Sequence, residues 1–396
     1  MKIAIIGAGP SGMMCALSAS KNYQIDLYEK NEKVGKKLFI TGKGRCNLTN
    51  YSDEEDFLDN IVTNKNFMYS SIYTLSPIRT KELFESYSLE LKVERGNRVF
   101  PKSDKSSDVI KTYEKKLREH GVNILLNTKV NSICKNNNTF IINNKFKYDK
   151  VVIATGGKSY PLTGSTGDGY IFGKRFGHTI TPLKPALTGL ILKNNFDLAG
   201  LTLKNINLSA FINNKLIVEE FGEMLFTHRG ISGPVVLSIS SKINKFDDFE
   251  LYLDLKPALS KDKLDNRMLR DFEKFINKNI TNALVKLLPK DLIKYILLQA
   301  NIDSEKKVNQ ITKKERLMLV KSIKEFKLDF SNFESIDRAI VTSGGINVKE
   351  IDPSTFESKL IKNLYFIGEV IDIDALTGGY NIQIANSTGY SCGINL

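Results

Sequence analysis

Gly7-Ala8-Gly9-Pro10-Ser11-Gly12, followed one strand–helix–strand length later by Tyr28-Glu29-Lys30, is the segment of this 396-residue chain whose residue types and spacing define a chemistry. That chemistry is the binding of a dinucleotide. Gly7 makes the tight turn, Gly9 lets backbone approach a pyrophosphate, and Gly12 lets the following helix pack close to the strand before it. The start of that helix presents free N–H groups and a positive dipole end to phosphate. Glu29, at the end of the second strand, stands where a carboxylate accepts hydrogen bonds from ribose hydroxyls.

Three more glycine-rich segments follow, at 42–47, 156–169 and 368–379. NAD in a simple dehydrogenase needs only the first cluster. FAD needs more, because its isoalloxazine lies deep and is contacted by backbone on several sides. Ala154-Thr155-Gly156-Gly157 ends an apolar strand and suits such an approach. Gly368-Glu369 ends another, where a glycine–acid pair binds the ribityl chain in two-dinucleotide-fold flavoproteins. Gly378-Gly379-Tyr380-Asn381-Ile382 opens the last helix, whose N-terminus would stabilise negative charge on a reduced ring.

Among reactive side chains, Cys46 lies between Arg45 and Asn47, where a nearby cation would favour its thiolate. It could donate a proton to a substrate carbon or pack beside the flavin. His228 could act as acid or base, or bond backbone locally. Tyr160 and Tyr380 are phenols in glycine-rich loops, able to hydrogen-bond a substrate carbonyl or to serve structure. Arg45, Arg98 and Arg229 could bind phosphates of cofactor or substrate, and Lys36 and Lys37 FAD phosphates or solvent. Gly164-Ser165-Thr166-Gly167-Asp168-Gly169 has the wrong spacing for a second fingerprint, and no redox CxxC is present. NAD(P)H is therefore expected as a transient electron donor at most, unless electrons come from elsewhere.

The elements that position these groups are legible in outline. Strands are expected over 2–6 and 25–28, with a helix over 11–21 between them. Residues 52–90 read as polar and helical, and 95–101 as a turn into an extended piece. A loop over 103–107 could cap a helix over 108–120. Segments 122–126, 129–134, 139–142 and 146–148 look like strands of a small sheet. Val151-Val152-Ile153 returns the chain to the parallel sheet. From about 190 the pattern alternates, as in Leu201-Thr202-Leu203-Lys204, and predicts antiparallel strands to 255. Residues 256–330 read as helical, with basic residues exceeding acidic ones roughly two to one. Strand and glycine return from Ile340. The fold class is thus α/β: a split Rossmann-like FAD-binding domain with an inserted β-barrel-like and helical domain. The expected boundaries are 1–189, 190–335 and 336–396.

Bulk properties agree with a globular chain of two or three domains. Hydrophobic residues make up 41% and charged residues 26%, which excludes a disordered or fibrous class. The four cysteines fit neither a disulfide framework nor a zinc site, so a reducing, cytoplasmic location and no metal are expected. No apolar run is long enough to span a membrane. The first 20 residues resemble a leader peptide in composition, but their glycine spacing favours strand–turn–helix. The net charge of +13 and the pI of about 9.3 fit either a lysine-rich proteome or a polyanionic partner such as RNA. Nothing in the sequence sets the oligomeric state.

Gly42-Lys43-Gly44-Arg45-Cys46-Asn47-Leu48-Thr49-Asn50 resembles the GxGRCNxTN signature of the YhiN/BaiN-like flavoproteins, also filed as the aminoacetone oxidase family of FAD-binding enzymes. Arg98-Val99-Phe100-Pro101, Ala154-Thr155-Gly156-Gly157, Phe226-Thr227-His228-Arg229-Gly230-Ile231-Ser232-Gly233-Pro234 and Gly368-Glu369-Val370-Ile371-Asp372 extend the resemblance over the whole chain. With the fingerprint, it implies a cofactor-binding set of Gly7, Gly9, Pro10, Ser11, Gly12, Glu29, Lys30, Lys37, Gly44, Arg45, Cys46, Asn47, Val130, Ala154, Thr155, Gly156, Gly157, Gly368, Glu369, Asp372, Gly379, Tyr380, Asn381 and Ile382. Candidate catalytic residues are Cys46, His228 and Tyr160, and the family places Thr227-His228-Arg229 facing the flavin cleft. The resemblance implies reduction of a uridine in 23S ribosomal RNA to dihydrouridine: hydride goes to C6 of uracil and a proton to C5. The base would be unstacked to reach the flavin. The alternative is a small-molecule enzyme, a reductase of conjugated enones or an oxidase of an aminoacetone-like amine.

Overall fold

The computed structural model describes every residue except 20–22 and 195. By internal contacts it divides into two compact units, Met1–Ala186 with Ser335–Leu396, and Leu187–Glu334. Each has its own hydrophobic core.

The first unit is built on a five-stranded parallel sheet in the order Leu364–Phe366, Lys150–Ile153, Lys2–Ile6, Gln24–Tyr28, Asn123–Leu125. The three central strands are nearly continuous runs of buried Ile, Val, Leu and Tyr, as a sheet covered on both faces requires. The helix Pro10–Ala19 joins the first two strands. The C-terminal end expected for it, at Lys21, lies outside the described residues. The last helix, Tyr380–Asn395, packs along it. Gly389 and Gly393 permit the approach: a Cβ on Gly389 would stand 2.3 Å from the Ser11 carbonyl oxygen, and one on Gly393 2.7 Å from that of Cys15.

Several expectations change here. Segment 122–126 is not part of the small sheet. Its core, Asn123–Leu125, extends the parallel sheet beside Gln24–Tyr28. The small sheet keeps three antiparallel strands, and the one expected over 129–134 begins only at Ile133. The helix expected over 108–120 is Ser106–Glu119. No side chain of the preceding loop caps it, and the Ser106 hydroxyl donates to the Phe39 carbonyl instead.

The second unit is a seven-stranded antiparallel sheet with helices. Its two edge strands are Phe326–Leu328 and Phe330–Phe333. Only Asp329 separates them, so the chain passes from one edge of the sheet to the other within a single residue. The sheet must curl on itself, which gives it barrel-like form and leaves little open edge. The helix Pro234–Ile243 interrupts the segment expected to be all strand. Its start is set locally by Gly233 at φ 101° and Pro234 at the first helical position. The lysine-rich stretch forms helices at Lys261–Lys274, Ile280–Leu284, Lys290–Gln299 and Lys313–Lys324. Among the described residues, no helix is long and apolar enough to cross a membrane.

Candidate active site

The sheet order brings the glycine segments of the first unit together at the carboxyl ends of the strands, where open α/β sheets bind ligands. Gly7 is pressed against the Ala154 carbonyl, 2.4 Å from where its Cβ would be, and takes φ 108°. A Cβ on Gly12 would stand 2.0 Å from the Gly7 carbonyl oxygen. Gly9 differs, because nothing lies within 4 Å of its would-be Cβ. Two of the three glycines therefore serve packing, and the middle one faces open space, as a pyrophosphate cradle needs. Gly368 lies against Ser11, Gly156 against Ser165, Gly157 against Thr342 and Glu369, and Gly379 against the Thr49 backbone.

Charge in this region is paired. Glu29 accepts from the Ala8 N–H (3.1 Å) and from both N–H groups of Asn31 (2.9 and 2.7 Å). That ties the acid at the end of the second strand to the phosphate loop. Lys30 donates to Asp168 (2.8 Å) and Thr166 (2.5 Å). Lys37 donates to both Glu369 oxygens (3.0 and 2.8 Å) and to Ser159 (2.7 Å). Glu369 also accepts from the Thr342 N–H (2.9 Å). Ser159 and Thr342 were not expected from the sequence. Thr342-Ser343-Gly344-Gly345, a polar pair before two glycines, is the signal that could have marked them.

The residues present fit a flavin dinucleotide. Gly7, Gly9, Pro10, Glu29, Lys30, Asn47, Thr155, Gly156, Glu369, Gly379, Tyr380 and Ile382 are all half-buried rather than sealed in. Asn47 Oδ1 and Thr155 Oγ1 are buried without a hydrogen-bond partner, which leaves two acceptors for a ligand. The helix Pro10–Ala19 leaves its first N–H groups without helical acceptors, as every helix start does. Val130, by contrast, is buried in the unit's core, and the Asn381 amide is engaged by the Ala375 and Leu376 backbone. Asp372 has its carboxyl pKa raised by burial.

Cys46 departs from expectation. Arg45 does not favour its thiolate. The guanidinium turns to Glu94 and Asp104 (2.7 Å) and stacks on Phe100 at 4.0 Å. Cys46 itself is fully buried at φ 58°. Burial pushes its thiol up to about 12, against a weaker opposite pull from Thr41. Arg98 is exposed, donates to the Arg95 carbonyl and lies 5.9 Å from the Phe100 ring. Lys36 pairs with Glu32 at 3.3 Å. Tyr160 is half-buried at φ 52°, its N–H on the Asp337 carbonyl (3.2 Å).

In the second unit, His228 and Arg229 form the tip of a tight turn between strands. The Thr227 N–H donates to the Gly230 carbonyl (2.8 Å) and the Gly230 N–H to Thr227 Oγ1 (3.1 Å). Both tip residues are exposed.

The model of the HI0933-like protein Rossmann domain matches residues 1–395. The chain belongs to that family. It is an FAD-dependent oxidoreductase with a Rossmann-type FAD-binding domain. A 3-dehydro-bile acid delta(4,6)-reductase of Clostridium scindens is 30% identical over 99% of this chain and 98% of its own length. A ribosomal RNA dihydrouridine synthase of Haemophilus influenzae is 29% identical over 99% and 97%. The crystal structure of a 3-ketosteroid-delta4-(5alpha)-dehydrogenase from Rhodococcus jostii superposes at a TM-score of 0.53 and 11% identity, covering 99% of this chain and 96% of the other, a likeness of fold.

Proposed function

We propose that this flavoenzyme reduces the C5=C6 bond of a uridine in 23S ribosomal RNA to give dihydrouridine. The observation that carries the reading is a net charge of +13 on a chain whose full-length relatives divide between an rRNA and a bile acid as substrate. Each RNA phosphate that meets a cation releases counterions, whereas one small carboxylate offers a single charge. FAD, when bound, supplies the hydride for an electron-poor C=C bond.

The chain must then hold the dinucleotide, exclude water and deliver one proton to the neighbouring carbon. Gly9 and the start of the Pro10–Ala19 helix would hold the pyrophosphate, Glu29 the ribose, and Gly156 and Glu369 the ribityl chain. His228 is the favoured proton donor, because its exposed imidazole stands at the tip of a turn closed by the Thr227–Gly230 hydrogen bonds. Tyr160 is the second candidate. Cys46 remains a neutral thiol, so it retains a proton, but its burial favours a packing role. NAD(P)H would reduce the enzyme by docking transiently.

The test is mass-spectrometric mapping of dihydrouridine in 23S rRNA from cells with and without the gene. Loss of one site, restored by the intact gene but not by a His228→Ala copy, supports the reading. An unchanged map overturns it and shifts the assignment to a conjugated enone. The 30% identity to the bile acid reductase favours that second reading, and enones would then be screened with the purified protein.

A further inference from the structure

We propose that the exposed stripe of the helix Lys261–Lys274, together with Lys256, is a docking cleft for the phosphodiester backbone of the RNA substrate. The inference rests on the RNA reading above, and it concerns a site that lies wholly within Leu187–Glu334.

Lys263, Asn266, Arg267 and Arg270 recur at i, i+3, i+4 and i+7, so they share one face. With Leu259 and Leu269 they line an open cleft of about 520 Å³. The opposite stripe, Leu264, Met268 and Phe272, is buried in the unit's core and fixes which way the charges face.

Two of the helix's carboxylates are engaged by arginines. Asp265 accepts two bonds from Arg316 (2.6 and 3.1 Å), and Asp271 accepts from Arg267 (2.8 Å). Asp262 and Glu273 fall between Asn266 and Leu269 around the helix and border the cleft on that side, away from Lys263, Arg267 and Arg270. Among the described residues, no ion-pair partner faces the side chains of Lys256, Lys263 or Arg270. Lys256 is half-buried and lies near Arg267. Burial, and then the nearby Arg267, hold its ammonium below the usual lysine range.

Lys256, Lys263 and Arg270 thus carry charge that no ion pair among the described residues takes up, and an anion would meet it. Lys263 to Arg270 spans roughly 10 Å of helix, the reach of two or three successive phosphates. Asn266 adds a neutral donor and acceptor for a phosphate oxygen or a 2′-hydroxyl.

The experiment uses the full-length, FAD-loaded protein and a fluorescently labelled 23S rRNA fragment, with affinity read across a salt series. A Lys263→Glu, Arg270→Glu variant is expected to bind at least about 10-fold more weakly. Its log affinity–log salt slope should fall by roughly 1.5, since each lost phosphate contact removes about 0.7–0.9. The Lys263→Arg, Arg270→Lys variant should bind as the wild type does, and FAD content should be unchanged in both. A Lys111→Glu, Lys115→Glu variant shifts net charge equally on the other unit and should leave the affinity within about twofold.

If the wild type binds with salt sensitivity and the cleft variant binds equally well, this site is wrong and the RNA reading stands. An equal loss in the Lys111 and Lys115 variant also overturns the site. A wild-type protein without salt-sensitive RNA binding overturns the RNA reading itself.

Discussion

At the scale of single residues, the phosphate loop separates fold from function. Gly12→Ala would place a Cβ 2.0 Å from a backbone oxygen, which cannot swing away. It should destabilise the cofactor-free protein by at least ~2 kcal/mol. Gly9→Ala meets nothing within 4 Å, so the cofactor-free protein should melt as the wild type does while FAD retention falls. Urea titrations with flavin absorbance check both, and a destabilised cofactor-free Gly9→Ala would refute the open cradle. The thiols give a second prediction. Cys134 is exposed, and Cys15, Cys46 and Cys392 are buried. Iodoacetamide at pH 8 should therefore label Cys134 alone in the native state, by peptide mapping. Equally fast labelling at Cys46 would restore the reactive-thiolate view. Asp374 gives a third. It is fully buried, Oδ2 lacks a partner, and burial raises its carboxyl to about 6, while bonds from Thr63 and Ser343 lower it and Asp372 and Glu369 raise it further. The folded state thus binds the proton more tightly than the unfolded state. This group's contribution to stability falls as pH rises from about 4 to about 6, and stays low above that. Asp374→Asn should remove this loss, by up to ~3 kcal/mol at pH 7, with the two proteins converging near pH 4 in denaturant melts. Parallel curves across that range would show that Asp374 does not titrate there.

At the scale of elements, the legible features are those whose causes are local in sequence. The strand–glycine–helix start, the Val151-Val152-Ile153 strand and the last helix from Tyr380 each carry their own determinants, and each forms where expected. The misreadings have non-local causes. Asn123–Leu125 is a strand on any reading, but only the chain's return beside Gln24–Tyr28 decides which sheet it joins. Pro234–Ile243 carries β-branched Val235, Val236 and Ile239, and its helix depends on packing against the sheet more than on propensity. The Cys46 environment was hidden for the same reason: Arg45 is adjacent in sequence, but Glu94 and Asp104, distant in sequence, take its charge. Some caps are local and testable. Thr312 and Glu315 form a reciprocal capping box on Lys313–Lys324, with Glu315 N–H to Thr312 Oγ1 at 3.2 Å and Thr312 N–H to Glu315 Oε2 at 2.8 Å. Thr312→Ala should cost about 1 kcal/mol, read as faster amide exchange over 313–324. The Lys306 ammonium and the Thr312 bonds hold Glu315 down at about 2. Its contribution is therefore complete above the ordinary glutamate range and is lost as pH falls towards 2. Unchanged exchange in Thr312→Ala would show that packing alone holds this helix.

At the scale of the molecule, the two hydrophobic cores share no residue, and every residue in the FAD cradle proposed here belongs to the unit of Met1–Ala186 and Ser335–Leu396. A ligand that binds only the folded state stabilises what it binds by RT ln(1 + [L]/Kd), about 2.7 kcal/mol at a hundredfold excess over Kd. That energy enters through one unit. Strands from both ends of the chain, Lys2–Ile6 and Leu364–Phe366, flank Lys150–Ile153 in one sheet, so unfolding this unit releases the beginning and the end of the chain together. FAD should therefore slow amide exchange in Lys2–Ile6, Pro10–Ala19, Lys150–Ile153 and Tyr380–Asn395 as a set, because none of these can open while the others hold the dinucleotide. Strands Thr202–Ile212 and Lys215–Phe226 should exchange at the rate of the cofactor-free protein if the second unit opens independently. Hydrogen exchange with and without FAD at fixed pH separates the cases. Protection confined to the first set supports a cofactor held by one unit. Equal protection of both sets would mean that the cofactor's stabilisation is not confined to the first unit, which would overturn a cofactor held by one unit alone.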